Sequence, residues 1–310
     1  LSDWSSDVCS SDLKAWAVCL TPFDADGRID EPALRVHFRR MRDAGVCAYV
    51  GSSNVGEGFT FTNEERDRVF AIAVEECKGK IPVRAAGYEP QSIRAAVEFV
   101  QAAGRAGLDA AHLFQLDNGH TGNPKPAELE VFYSSVLDVA PLPLVLSSYP
   151  SLGYSLPLDL VTRLLDRFPE RIVALRDAGS DPAYLRELIA VSKGRAEVYT
   201  TGPRNLINAL FHGSQGFLSS EANIAPTLAV TILRAFEQGD MAALRAAYDH
   251  FYQLHKLVNK YGGSSGRGIK PLLSRLGLPG GTLRAPRLAI SNSELDEMLS
   301  AYRALKLPHA

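Results

Sequence analysis

Short apolar runs alternate with amphipathic stretches along nearly the whole of this 310-residue chain. The apolar runs have the length of buried strands, and the stretches between them carry apolar residues at helical spacing. This alternation is typical of repeated β-α units on a parallel sheet. Eight strand-helix pairs can be marked, and that number favours an α/β chain closed into a (β/α)8 TIM barrel.

The predicted elements follow one another in strict alternation. The predicted strands are 15–20, 48–51, 83–86, 110–114, 144–147, 172–176, 197–200 and 216–219. The predicted helices are 31–44, 63–77, 91–106, 126–139, 158–168, 181–191, 204–211 and 226–237. A doubly wound sheet would need a glycine-rich phosphate turn after its first strand, and the TPFDADG sequence that follows this one is not such a turn.

The chain continues beyond the eighth pair with more helical patterns. They cover 241–261, 269–276 and 293–305, and no linker separates them from the units before. We therefore expect a barrel at 14–238 and a three-helix extension at 239–310 that packs on it.

The first residues do not fit this organisation. The polar, aperiodic sequence DWSSDVCSSDL at 3–13 resembles the literal translation of a sequencing-library adapter. We expect residues 1–13 to be an artefactual or disordered leader, and the natural start of the protein to be missing from this sequence.

Composition excludes several classes of partner. The formal net charge is -2, with neither a basic stripe nor an apolar stretch of bilayer length, so nucleic acid and membrane are not expected as partners. Outside the leader, Cys19, Cys47 and Cys77 have neither paired nor metal-like spacing. We expect reduced thiols, a cytoplasmic protein, no metal site and no cofactor.

In a (β/α)8 barrel the chemistry is built at the carboxyl ends of the strands. Polar or glycine positions that follow the predicted strands are the candidates: Asn54, Glu57, Gln115, Asp117, His120, Ser147, Tyr149, Arg176, Asp177, Thr201, Gly202, Ser220 and Glu221.

Several segments together resemble one known family, the dihydrodipicolinate synthase / N-acetylneuraminate lyase family. They are LTPFDADGRIDEPAL at 20–34, VGSSNVGEG at 50–58, VLSSYP at 145–150, ALRDAGSDPAYLREL at 174–188, SSEANIAP at 219–226 and GIKPLLSRLGLPGGTLRAP at 268–286. The resemblance runs from about residue 14 to the end. It implies a lyase barrel for a 2-oxo or sugar-derived carboxylic acid that forms a homodimer or homotetramer and needs no cofactor.

The chain departs from the family pattern at the catalytic positions. Arg176 stands where the family has its Schiff-base lysine, and a guanidinium stays protonated and is a poor nucleophile. The family's Y-N-V-P tyrosine falls on Ser147, and Tyr149 lies two residues further on. We therefore expect the Schiff-base mechanism to be altered or lost, with Arg176, Ser147, Tyr149 and Glu221 as the candidate catalytic residues.

The resemblance also implies a set of substrate contacts. The hydroxyl pair of the family's G-T-T-G-E loop falls on Asn54 and Val55, so the relay role is lost at Val55. The implied substrate-binding residues are Ser53, Asn54, Val55, Gly56, Glu57, Gly202 and Leu218. A single base change converts a lysine codon to an arginine codon, so a sequencing error would account for that one difference. Several concordant differences around one pocket instead favour a divergent branch of the family.

Two roles for Arg176 stay open at this level. A guanidinium suits a bidentate hold on a carboxylate, so the first hypothesis is that Arg176 binds the acid group of the substrate with backbone amides of residues 52–56 assisting. The structural alternative is that Arg176 pairs with Glu221, Glu57 or Asp177.

Two other functions are weighed against acid binding by a lyase. A metal-assisted lyase or hydratase would use His112, Asp117, His120, Glu57 and Glu221, although burial of His112 within its strand and solvation of His120 are favoured instead. A non-catalytic pseudoenzyme that keeps the barrel for ligand binding is the other alternative. Whether the chain is an enzyme stays open.

Overall fold

The computed structural model describes residues 13–87 and 89–308. Apart from Leu13, the predicted leader lies outside the described residues, so that prediction remains untested.

The eight predicted strands are all present. They are β1 (Lys14–Val18), β2 (Cys47–Val50), β3 (Val83–Ala86), β4 (Ala110–Leu113), β5 (Leu144–Ser148), β6 (Ile172–Asp177), β7 (Glu197–Thr201) and β8 (Gly216–Ser219). Hydrogen bonding joins them in chain order into a closed barrel, with parallel strand pairs. The predicted (β/α)8 barrel is confirmed.

The predicted helices are present as well, with bounds that differ by no more than two residues. They are α1 (Glu31–Asp43), α2 (Asn63–Cys77), α3 (Ile93–Ala106), α4 (Pro126–Val139), α5 (Leu158–Arg167), α6 (Pro182–Ser192), α7 (Leu206–Phe211), α8 (Pro226–Glu237), α9 (Met241–Lys260), α10 (Ile269–Arg275) and α11 (Asn292–Ala304). The three predicted C-terminal helices are therefore confirmed. Among the described residues, none of the helices is both long and apolar enough to cross a bilayer.

Helix starts are fixed by side chains that the sequence displays. The hydroxyl of Thr62 accepts a hydrogen bond from the Glu65 amide while the Glu65 carboxylate accepts one from the Thr62 amide, which is a capping box at the start of α2. Asp30 and Ser92 accept in the same way at the starts of α1 and α3.

Short 3₁₀ turns follow four of the strands. They are Gly58–Thr60 after β2, Gly119–Thr121 after β4, Pro150–Leu152 after β5 and Glu221–Asn223 after β8. A three-residue turn is too short to produce a periodic pattern, so sequence periodicity does not locate these segments. They determine the path of the backbone after these four strands.

The chain forms two compact units, each with its own core. One consists of the residues up to Val83 together with those from Phe217 onwards, and the other spans Arg84–Gly216. In the first, Phe217 and Phe251 pack edge to face with ring centroids 5.6 Å apart. In the second, the rings of Phe132 and Tyr133 on α4 pack in the same way at 5.0 Å.

One buried histidine couples the stability of the first unit to pH. His37 lies on α1 and is fully buried. Burial, with a smaller contribution from the charge of Arg40, lowers the pKa of His37 to about 3. The folded chain therefore keeps His37 neutral where the unfolded chain protonates it. The resulting stability is fully present above the ordinary pKa of 6.5 and is lost as the pH falls towards 3.

We expect the wild-type protein to lose about 2 kcal/mol more unfolding free energy than the variant His37→Met when the pH is lowered from 7 to 5, because one pKa unit corresponds to about 1.4 kcal/mol. Urea unfolding at the two pH values measures the difference. His212 is exposed, so His212→Gln is the matched control and should behave as wild type. Equal losses in wild type and His37→Met would contradict this account.

Candidate functional site

Arg176 lies near the end of β6 with its side chain enclosed by other residues. It is 3% exposed. Its Nε donates a hydrogen bond of 2.9 Å to Thr201 Oγ1, at the end of β7. The guanidinium carbon lies 5.7 Å from the centroid of the Phe114 ring and 5.3 Å from that of the Tyr149 ring. The cation is thus held by a hydroxyl and by two aromatic rings, an arrangement suited to cation-π attraction.

The register of β5 against β6 places Ser147 beside this cation. Ser147 is directly opposite Arg176, and Ser148 is opposite Asp177. Because side chains alternate between the two faces of a sheet, Ser147 and Arg176 share one face while Ser148 and Asp177 share the other. The Ser147 hydroxyl is buried and makes no hydrogen bond to any described residue.

Asp177 is a buried carboxyl group next to the cation in sequence. Its Oδ1 accepts a hydrogen bond of 3.0 Å from the Gly179 amide. Burial raises the pKa of Asp177 to about 6, although the Gly179 amide and the charge of Arg176 act in the opposite direction. A carboxyl group with this pKa changes its charge within the physiological range.

Tyr149 is positioned by the segment that follows β4. Its backbone amide donates a hydrogen bond to Gln115 Oε1, and Gln115 Nε2 donates to Tyr154 O at 3.1 Å. The Tyr154 hydroxyl in turn donates to Leu116 O at 2.9 Å. These bonds hold together the segments after β4 and β5. A 3₁₀ turn begins at Pro150, directly after Tyr149.

The loop after β2, in the other unit, has a different anchor. Glu57 is fully buried and has a left-handed backbone with φ of 54°, which a residue other than glycine adopts only when its surroundings enforce it. Its Oε1 accepts a hydrogen bond from Lys270 Nζ, and its Oε2 accepts one of 3.1 Å from the Arg284 amide. The carboxylate is thus held by the C-terminal part of the chain.

Lys270 on α10 is itself fully buried. Burial lowers the pKa of Lys270 to about 8, and the charge and hydrogen bond of Glu57 oppose that shift. The ammonium also lies 4.4 Å from the centroid of the Phe23 ring. Nearby, Arg287 Nη1 donates to Asn54 O at 2.8 Å. The sequence contained this signal as a lysine in the otherwise apolar start of α10, but its partner is 213 residues away.

The residues that the resemblance implied as substrate contacts are distributed over both units. Ser53 and Asn54 are half-buried, whereas Val55 and Gly56 are buried. A Cβ on Gly56 would come within 2.9 Å of Cys19 O, so only glycine fits there without a shift. In the same unit Leu218 is buried in β8, and in the second unit Gly202 follows β7 with φ of 65°.

Glu221 has a partner that the sequence did not reveal. It is 3% exposed and opens the 3₁₀ turn after β8. Its Oε1 is 2.7 Å from His255 Nδ1 on α9, and His255 Nε2 is 2.8 Å from Asn259 Nδ2. With the Asn259 amide donating to Nε2, the proton of a neutral His255 resides on Nδ1 and is donated to Glu221. A carboxylate-imidazole pair of this kind can transfer protons.

The residues considered as metal ligands belong to both units. Within residues 13–87 and 89–308, no three His, Cys, Asp or Glu side chains are grouped so as to hold a metal ion. His112 is buried in β4, where burial and the charges of Arg176 and Arg84 lower its pKa well below the ordinary value. His120 is exposed.

A closed barrel of parallel strands with polar and charged groups at the strand ends is the architecture of (β/α)8-barrel proteins, and the chain has this architecture. The sequence profile of the Dihydrodipicolinate synthetase family matches residues 13–305. The chain therefore belongs to the Dihydrodipicolinate synthetase family, a family of lyases, and the resemblance noted in the sequence is confirmed.

Individual relatives agree with this membership. 4-Hydroxy-tetrahydrodipicolinate synthase from Hyphomonas neptunium is 32% identical, over 92% of this chain and 95% of the relative. Dihydrodipicolinate synthase DapA-2 from Bacillus anthracis matches with a TM-score of 0.86 and 23% identity, over 96% of this chain and 99% of that one. YagE, a prophage protein of the same family from E. coli K12 solved in complex with pyruvate, has a TM-score of 0.82 and 23% identity, over 96% and 99%.

The ion pair of Glu57 with Lys270 gives a test of how the loop after β2 is held. Lys270→Met leaves the Glu57 carboxylate buried without its cation, and we expect the unfolding free energy to fall by about 3–5 kcal/mol. Adding Glu57→Gln should recover part of this loss, because the neutral amide removes the buried charge. Chemical denaturation of the single and double variants measures both changes.

The exposed pair of Asp159 with Arg163, four residues apart on α5, supplies the control. Asp159→Asn should lower the unfolding free energy by no more than about 0.5 kcal/mol. A loss for Lys270→Met as small as that of the control would show that the buried pair does not hold the loop.

Proposed function

We propose that this chain binds a small 2-oxo carboxylic acid through the guanidinium of Arg176 and forms no Schiff base at that position. The observation that carries the proposal is a buried cation at a strand end, ordered by Thr201 Oγ1 at 2.9 Å and enclosed by aromatic rings. A planar guanidinium in such surroundings suits a carboxylate, since it can form two parallel charge-assisted hydrogen bonds.

The competing explanation, in which Arg176 only neutralises a neighbouring acid, receives less support. Glu57 is bound by Lys270 and by the Arg284 amide, and Glu221 is bound by His255. For Asp177, burial outweighs the charge of Arg176, so its carboxyl is easier to protonate than an ordinary one. A strong ion pair would have the opposite effect on the pKa of the acid.

The type of acid is inferred from the family. Membership in a lyase family supports a substrate with a carbonyl next to its acid group, and the relative YagE was solved with pyruvate. Because arginine cannot form the imine, lyase activity that uses position 176 would have to proceed without a covalent bond to that side chain. Ser147 has no phenol to move a proton, which favours a non-catalytic binding barrel as the second candidate.

Self-association into a homodimer or homotetramer is also proposed, on the resemblance alone. Light scattering of the purified protein measures its mass in solution. A mass of 33.6 kDa, that of one chain, across micromolar concentrations would contradict it.

We expect Arg176→Met to weaken pyruvate binding by about 10-fold to 100-fold, as charge-assisted hydrogen bonds contribute about 1.5–3 kcal/mol. Isothermal titration calorimetry measures the dissociation constant. The matched control is Arg94→Met, which removes an arginine whose side chain is 89% exposed and should leave binding unchanged. Equal pyruvate affinity in wild type and Arg176→Met would remove the proposal.

The pH dependence of binding provides a second test. Pyruvate is ionised throughout the neutral range, whereas Asp177 gains its negative charge as the pH rises through about 6. That charge repels a second anion at Arg176, so we expect pyruvate affinity to fall between pH 5 and pH 7. In Asp177→Asn this fall should be absent. Parallel pH profiles in wild type and Asp177→Asn would contradict the coupling.

A further inference from the structure

The hydroxyl of Thr201, at the end of β7, bonds both to the side chain of Arg176 and to the backbone of β6, the strand that carries Arg176. Thr201 Oγ1 accepts the hydrogen bond from Arg176 Nε at 2.9 Å and donates one to Asp177 O at 3.1 Å. A hydroxyl has a single hydrogen, and here the backbone carbonyl receives it. The oxygen lone pairs therefore point at Nε, and the direction of the Arg176 contact is fixed by the geometry of β6 and β7.

A guanidinium can bind a carboxylate through either of two edges, and the contact with Thr201 occupies a donor on one of them. In a side-on pose the acid meets Nε and one Nη, whereas in an end-on pose it meets Nη1 and Nη2. Because the Nε hydrogen is directed at Thr201 Oγ1, the side-on pose would break an existing bond.

We propose that Thr201 is a positioning residue that makes Arg176 accept the ligand carboxylate end-on, by Nη1 and Nη2. This inference rests on the proposed function and adds the residue that determines the binding pose.

The aromatic rings and the hydroxyl restrict different motions of the guanidinium. The rings of Phe114 and Tyr149 lie within 6 Å of its central carbon and limit its tilt. The Nε bond to Thr201 limits its rotation within its own plane. A side chain that is ordered before the ligand arrives loses less conformational freedom on binding, and this increases affinity.

The first arm of the test needs no ligand. In arginine-labelled protein the Nε resonance of Arg176 is assigned by its disappearance in Arg176→Lys, and its hydrogen exchange with solvent is measured by NMR. We expect slow exchange in wild type and in Thr201→Ser, which keeps the hydroxyl, and fast exchange in Thr201→Val. Thr200→Val is the control, since the buried Thr200 hydroxyl has no hydrogen-bond partner among the described residues. Fast exchange in wild type, or slow exchange in Thr201→Val, would overturn the inference.

The second arm uses pyruvate as the probe. We expect Thr201→Val to weaken pyruvate binding about fivefold and Thr201→Ser to restore it, in line with one net hydrogen bond. In an Arg176→Met background Thr201→Val should have no further effect, because methionine has no Nε edge to orient. On saturation with pyruvate, the Nη resonances of wild-type Arg176 should shift while the Nε resonance keeps its slow exchange.

The two arms separate failure of the inference from failure of the proposed function. If pyruvate binding depends on Arg176 but not on Thr201, or if pyruvate shifts the Nε resonance more than the Nη resonances, the end-on pose is wrong and the function stands. If Arg176→Met binds pyruvate as wild type does, the function is wrong, while the exchange measurement still decides whether Thr201 orients the guanidinium.

Discussion

Ionisable side chains are buried at the ends of several strands, and a buried charge is stable only where its surroundings compensate for lost water. The chain meets this requirement separately in its two units. Arg176 has the Thr201 hydroxyl and two aromatic rings, whereas Glu57 has the ammonium of Lys270 and a backbone amide. Each of these interactions joins residues from different elements. The conformation of the segments that follow the strands therefore depends on them.

The same requirement explains how the fold accommodates an arginine at position 176. The barrel is built from strand pairing and apolar packing that do not depend on the residue at position 176. An arginine there needs partners along its whole length, and Thr201 and the aromatic rings supply them. Under the proposed function, this strand end would bind an acid electrostatically instead of attacking it as a nucleophile, on an unchanged fold.

Sequence patterns predicted the fold closely and the site only in part. The apolar alternation located all eight strands and the helices, because burial against a core leaves a period of two or 3.6 in the sequence. The bond between Arg176 and Thr201 and the pair of Glu57 with Lys270 leave no such period, since their members are 25 and 213 residues apart. The contact of His255 with Glu221 leaves no such signal either, because one polar side chain on an amphipathic helix does not reveal what it faces.

The central claim is that Arg176 replaces imine chemistry with acid binding, and borohydride trapping with pyruvate tests it most directly. The protein is incubated with pyruvate and borohydride, and its intact mass is compared with that of a sample treated without pyruvate. The account predicts no mass increase, because no lysine amine stands at position 176 to form an imine. An increase of one pyruvate per chain, mapped to a lysine by peptide analysis, would contradict it and would return imine-forming aldolase chemistry to this barrel.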